Sequence, residues 1–225
     1  NDERAVLYKQ NPDYLPKLKS QTKQFDEKEL DINDKKYGSF APLLAEDNTF
    51  YFASARNTAR KTYGMNEEPY LDIYTSTYNA NGTFSDPVPL SDLNTKWNDG
   101  PVAVTADGNT MYFASESFKE SKQFVKDKDM NLKQGQVYLY KATKDGGKWG
   151  NVQMLPFNNK AWSTANPSIS KDGKTLYFSS TREGSMGGSV DIWKVEVKDG
   201  NTYGEPVNLG AKVNTEGRES FPYIT

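Results

Sequence analysis

Apolar and polar positions along the chain fall into one pattern three times. The segments "APLLAEDNTFYFASAR" (41–56), "PVAVTADGNTMYFASES" (101–117) and "NPSISKDGKTLYFSSTR" (166–182) each open on a short apolar run. A polar turn follows, then a second run ending Tyr-Phe-(Ala/Ser)-Ser. Asp107-Gly108 and Asp172-Gly173 are strong hairpin signals, and the first copy turns on Asp47-Asn48. A third strand follows in each copy, in 70–78, 136–143 and 190–197, and a fourth in 82–90, 147–155 and 203–210. Measured between Tyr51, Tyr112 and Tyr177, the repeats are 61 and 65 residues long.

Four short antiparallel strands per repeat predict the blades of a β-propeller, an all-β fold. The blades fall at roughly 38–90, 98–155 and 163–209. "RESFPYIT" (218–225) begins another copy, so a fourth blade starts near residue 217. Closed propellers need roughly 4–8 blades. Three blades and a fragment therefore predict part of a longer protein. Residues 25–225 form the propeller, with "FDEKELDI" (25–32) at the fourth-strand position of a preceding blade. Residues 1–24 do not fit the repeat and read as a lead or linker from an upstream domain.

The connections between second and third strands differ most. The first two, 55–69 and 116–135, are long insertions, whereas the third is only "TREGSMGG". Insertions in repeat proteins collect on one face, often the binding face. From them we take Arg56, Arg60, Lys61, Tyr63, Phe118, Lys122, Phe124 and Lys126 as candidate partner-binding residues. Tyr37, Trp97 and Trp162 recur seven positions after Leu30, Leu90 and Leu155. They read either as packing between blades or as an aromatic ring for a partner. Asp34, Asn94 and Asn159 stand three positions before those aromatics, and Asn214 continues the series.

Asp72 and Asp191 occupy equivalent strand positions, with Arg56 and Arg182 as plausible partners. Asp107 and Asp172 read as turn formers rather than acids or metal ligands. Asp127, Asp129 and Asn131 alternate as calcium loops begin, which makes them weak calcium candidates. Leu132 and Tyr138 stand where such a loop wants Gly and Glu, and Lys122, Lys126, Lys128 and Lys133 oppose a cation. No metal is assigned.

Composition narrows the chemistry. The 225 residues include no cysteine and no histidine. Disulfides, thiolate chemistry, Ser-His-Asp catalysis and imidazole–thiolate zinc sites are thereby excluded within this chain. The glycine-rich "EGSMGGSVDIW" (183–193) has neither the Gly-Lys-Ser/Thr of a phosphate loop nor the Gly-x-Ser-x-Gly of a nucleophile elbow. It reads as a short φ-permissive turn. A net charge of −2 gives no pull toward nucleic acid or anionic membrane. No stretch approaches the roughly 20 apolar residues of a membrane helix. Catalytic residues and cofactors are not predicted. The chain opens on Asn1 rather than Met and is read as a mature or trimmed piece.

The segment "SISKDGKTLYFSSTREGSMGGSVDIWKVEV" resembles the WD40-like repeat of TolB-type propellers. With "VNTEGRESFPYI", it is most similar to OmpA-family proteins of Bacteroidota. In these, a tetratricopeptide region precedes the propeller and a peptidoglycan-binding OmpA-like domain follows. The resemblance covers 25–225 and is strongest in 160–225. It implies a non-enzymatic scaffold in the periplasm, tied to outer-membrane machinery of the type IX secretion kind. Its partners would be outer-membrane or periplasmic proteins, with peptidoglycan reached through a domain outside this chain. Two other readings stay open: the substrate-gating propeller of a prolyl-oligopeptidase-like peptidase, and a glycan-binding propeller. The second blade departs from the pattern, with Val137-Tyr138-Leu139-Tyr140 in place of Asp-Ile-Tyr/Trp and no Gly-Gly.

Overall fold

A computed structural model describes residues 3–23, 25–62, 67–199 and 201–225. The chain divides into two compact units, Asn1–Leu30 and Asp31–Thr225. The first contains two short helices, α1 (Glu3–Gln10) and α2 (Tyr14–Ser20), which the repeat pattern does not announce. Pro16 sits in the first turn of α2, where a missing backbone N–H is tolerated. Residues 25–32 form no strand.

The second unit is built of three antiparallel blades. Blade 1 comprises β1 (Ser39–Leu44), β2 (Thr49–Ser54), β3 (Asp72–Thr77) and β4 (Val88–Pro89), in that spatial order. Blade 2 comprises β5 (Asp99–Val104) and β6 (Thr110–Glu116), then β9 (Val137–Asp145) and β10 (Lys148–Met154). Between β6 and β9 lies a separate hairpin, β7 (Phe124–Asp127) and β8 (Leu132–Gly135). Blade 3 comprises β11 (Thr164–Ile169), β12 (Thr175–Ser180) and β13 (Asp191–Lys198). Its outer edge is split into β14 (Thr202–Tyr203) and β15 (Val207–Asn208), both paired to β13. This is the predicted β-propeller architecture, with an open ring.

The core lies between blades, and blade 2 feeds it from both faces. Met111, Phe113, Tyr138, Tyr140 and Ala142 pack with Tyr51 and Ile73 of blade 1. The alternate residues Tyr112, Ala114 and Leu139 pack with Leu176, Phe178, Trp193 and Val195 of blade 3. A strand buried on both faces needs apolar side chains at odd and even positions alike. That is why "MYFA" and "VYLY" read as continuous runs.

All three hairpin aspartates shape turns. Asp47, Asp107 and Asp172 each accept the backbone N–H two residues on, at 3.0–3.1 Å. The residues between, Asn48, Gly108 and Gly173, take positive φ. Thr105 and Ser170 hydroxyls also donate to Asp107 and Asp172, holding both carboxyls below the usual range.

Every inner strand carries a bulge before a proline. Pairing slips between Phe40 and Leu43, between Asp99 and Val102, and between Ala165 and Ser168. The residue preceding each proline, Ala41, Gly100 and Asn166, has positive φ, and so does Phe221 before Pro222. Proline is tolerated here because an inner strand is an edge with no further ladder to donate into. These strands and 221–225 line a cavity of about 470 Å³ along the propeller axis. Residues 218–225, where the repeat predicts a fourth inner strand, form no strand but run along this cavity. They are held by Glu219 N–H to the Val190 carbonyl (2.8 Å) and Ile224 N–H to Ser168 Oγ (3.2 Å).

An asparagine closes each blade. Asn94 accepts from Ile73 N–H (2.8 Å) and donates to the Ile73 carbonyl (2.9 Å). Asn158 does the same for Leu139 at 3.0 and 2.7 Å, and Asn214 for Ile192 at 2.8 and 3.0 Å. The side-chain amide thus stands in for a neighbouring strand at one residue of the third strand. The sequence series named Asn159 in blade 2; the residue that does this work is Asn158, one position earlier. Asn159 instead accepts from Ala161 N–H, at 2.9 Å. Asp34 likewise caps a turn, accepting from Lys36 and Tyr37 N–H at 2.8 Å.

Leu139 is fully buried, so Asn158→Ala leaves its N–H without a partner. We expect a loss of about 2–3 kcal/mol in urea unfolding, against about 1 kcal/mol or less for Asn159→Ala. Equal effects at the two positions would refute the strand-substitute role.

Candidate functional site

A cation lies on a pair of rings in every blade. In blade 1, Arg56 sits 4.9 Å from the Phe52 ring and 5.3 Å from Tyr74. In blade 3, Arg182 occupies the equivalent place, 4.8 Å from Phe178 and 5.2 Å from Trp193, with Phe157 and Trp162 also within 6 Å. In blade 2, Ser117 replaces the arginine, and Lys119 reaches over Phe113 (5.2 Å) and Tyr140 (4.7 Å) instead. Arg182 is 6% exposed and has no carboxylate within ion-pair range among the described residues. Burial lowers its pKa to about 10.

Arg56 and Arg182 are therefore not the partners of the strand aspartates, as the sequence suggested. Asp72 is fully buried and is neutralised by Arg60 from the first insertion (2.7 Å), with Asn57 donating at 2.7 Å. Arg60, predicted to face a partner, is thus committed inside its own blade. Asp191 accepts from Met186 N–H (2.9 Å) and Asn208 Nδ2 (2.6 Å). The glycine-rich turn supplies that N–H. Gly187 has positive φ, and a Cβ there would lie 2.6 Å from the Glu216 carbonyl oxygen. In blade 2, Tyr138 takes the aspartate's place and directs its hydroxyl toward Gln123 (3.4 Å). A neutral phenol needs no arginine, which accounts for the departure in that blade.

The second insertion is an ordered structure rather than a solvated loop. Its Phe118 ring lies tilted against Trp97 at 5.1 Å and against Phe124 of the β7–β8 hairpin at 5.9 Å. Tyr70, at the end of the first insertion, meets Trp97 edge-on at 6.0 Å. The half-buried row Tyr70–Trp97–Phe118–Phe124 therefore joins material from blades 1 and 2. The Gly135 backbone approaches so closely that a Cβ would stand 2.9 Å from Ser117 Oγ and 3.0 Å from the Phe118 ring. Beyond the rings the hairpin exposes Val125, Met130 and Leu132. Lys122, Lys126, Lys128 and Lys133 are also exposed.

Of the predicted partner residues, Trp97, Phe118 and Phe124 come together, with Lys122 and Lys126 beside them. Trp162 lies apart, beside Arg182 in blade 3, and Tyr37 lies half-buried under Lys36. Lys61 is exposed on the first insertion. Tyr63 lies outside the described residues. Among the calcium candidates, Asp127 Oδ1 accepts the turn amides of Asp129 and Met130 at 3.0 Å, and Asp129 and Asn131 are exposed. Tyr70 was missed by sequence reading, although its place at the end of the insertion was visible.

Under this row lies a buried carboxyl. Asp99 is fully buried, accepts from Ser115 Oγ at 2.5 Å and from Thr95 N–H, and faces Lys119. Burial outweighs these interactions and raises its pKa to about 6. Neighbouring Glu116, held by Asn98 Nδ2 at 2.8 Å, is also pushed up by burial.

Fold and surface together define a β-propeller segment whose second-to-third-strand insertions build one aromatic, lysine-fringed face. No protein-family model matches the chain, and no curated protein matches it. Solved structures are similar. TolB from Acinetobacter baumannii aligns at a TM-score of 0.45 and 16% identity, over 76% of this chain and 33% of that one. The putative TolB from Agrobacterium tumefaciens aligns at 0.40 and 18%, over 69% and 41%. A prolyl endopeptidase aligns at 0.45 and 12%, over 82% and 23%. The chain thus spans less than half of each. The propeller assignment rests on the three blades themselves. No helix among the described residues is long and apolar enough to cross a membrane.

Asp99 gives a pH test. It stays protonated in the fold up to about pH 6, whereas the unfolded chain ionises near 3.8. Its contribution is therefore complete below pH 3.8 and is lost as pH rises through 6. Relative to Asp99→Asn, the wild type should lose about 2 kcal/mol between pH 4 and pH 7, read by urea unfolding at each pH. Parallel curves for the two proteins would contradict it.

Proposed function

We propose that this chain is a non-enzymatic interaction module. It works in a periplasmic, outer-membrane-associated assembly of the type IX secretion kind, and peptidoglycan is reached through a domain outside this chain. The observation that carries the interaction reading is the row Tyr70–Trp97–Phe118–Phe124. Two insertions from different blades converge to hold four half-buried rings beside exposed apolar and basic side chains. Clustered aromatics of this kind make up the energetic centres of protein interfaces. The compartment and the assembly follow from the resemblance to Bacteroidota OmpA-family propellers.

The same second-to-third-strand connections also serve the blades internally. Arg60 neutralises Asp72, and the glycine-rich turn caps Asp191. This use of the connections supports a scaffold.

The immobilised chain should retain outer-membrane proteins from a Bacteroidota envelope extract. The Trp97→Ala, Phe124→Ala double variant should lose at least nine-tenths of that capture while keeping its unfolding midpoint within a few degrees. Retention of oligosaccharide with no outer-membrane protein would replace this reading with a glycan-binding one.

A further inference from the structure

The β7–β8 hairpin is a two-stranded sheet that pairs with nothing else among the described residues. A two-stranded hairpin alone is marginal in water. Among the described residues it is anchored at one end, where the Phe124 ring lies tilted 5.9 Å from Phe118 and Gly135 packs against the same ring. Its register pairs Phe124 with Gly135, Val125 with Gln134, Lys126 with Lys133 and Asp127 with Leu132. Paired residues share a face, and faces alternate. Lys126 and Lys133 therefore stand directly opposite one another, on the face that carries Phe124.

Like charges directly opposite in an antiparallel pair are destabilising. Neither lysine has a carboxylate within ion-pair range among the described residues. Lys133 instead rests its ammonium 4.8 Å from the Phe124 ring. Asp127, the nearest acid in the hairpin, faces the other side and gives one carboxylate oxygen to the turn amides. The hairpin thus holds an uncompensated pair of cations beside an unpaired strand edge.

We propose that the outer edge of β7 receives an extended, acidic peptide segment of a partner protein by strand addition. Backbone groups of β7 supply the ladder. Side chains of the added strand alternate between faces, so carboxylates at every second position come beside Lys126 and extend toward Lys133. Apolar residues at the intervening positions meet Val125, which shares the opposite face with Leu132. The occupant is thus an alternating acidic–apolar strand. This deepens the interaction reading and rests on it.

The test uses the full chain and a fluorescein-labelled octapeptide alternating glutamate and valine. Anisotropy should show saturable binding that weakens at least tenfold in the Lys126→Glu, Lys133→Glu double variant. Binding should also weaken with rising salt and be absent for the lysine–valine counterpart. Hydrogen exchange should slow across 124–127 when the acidic peptide is bound. Both lysines are exposed, so the variant should keep wild-type circular dichroism; if it does not, the single Lys126→Gln change is read in its place. Equal binding to both proteins, no saturable binding by 1 mM peptide, or protection elsewhere would overturn the proposal. A chain that captures outer-membrane proteins through Trp97 and Phe124 but ignores the peptide loses this inference alone.

Discussion

A sheet with apolar side chains on both faces cannot stand in water alone. Blade 2 is such a sheet. Tyr112 and Phe113 are neighbours in sequence, are both essentially inaccessible, and point to different blades. Each large buried side chain contributes about 1.5–3 kcal/mol relative to exposure. Stacking blade on blade is how this chain collects that energy. The rest of the architecture follows. Strands must be short and level so that faces match, and connections must run over the ends of the stack. The ends are where insertions can grow without disturbing the core.

Polar chemistry inside the stack is solved blade by blade with different parts. The cation on the rings is arginine twice and lysine once, and the lysine reaches from two residues further along the chain. The buried strand carboxylate is met by an arginine in blade 1 and by a backbone amide with an asparagine in blade 3. In blade 2 a tyrosine replaces it. Blade 1 compensates its buried charge and blade 2 removes it, whereas in blade 3 one Asp191 oxygen is hydrogen-bonded and the other has no partner among the described residues. The first insertion begins as a compensation device, with Asn57 and Arg60 on Asp72, whereas the second carries its exposed lysines on the β7–β8 hairpin. That division explains why Arg60 turns inward while Lys126 and Lys133 do not.

The blades were readable from the sequence because a repeat shows the same local physics three times. Asp-Gly turns, apolar runs and the recurrent leucine each carry a local cause. What stayed hidden depends on distance in space. Nothing local separates Asn158 from Asn159; only the position of Leu139 decides which amide can span its N–H and carbonyl. Arg56 looked like the partner of Asp72 because both lie at strand ends, yet the ring pair beside it holds the guanidinium. The β7–β8 hairpin was missed because "KDKDMNLK" is polar and lacks a glycine in its turn; Asn131 takes the positive φ instead. The helices of the first unit lie outside any repeat and have weak apolar patterning. The aromatic row was half legible: Trp97, Phe118 and Phe124 stood out, but their meeting with Tyr70 is tertiary.

The prolines of the inner strands have a consequence beyond blade geometry. An open ring brings several unpaired strand edges close together around one axis, the arrangement that seeds cross-β fibrils. Pro42, Pro101, Pro167 and Pro222 each remove an amide donor from such an edge, and the bulges before them break its flat repeat. A growing fibril would find no continuous template there. The inner strands can line an open cavity along the axis without offering a template for aggregation.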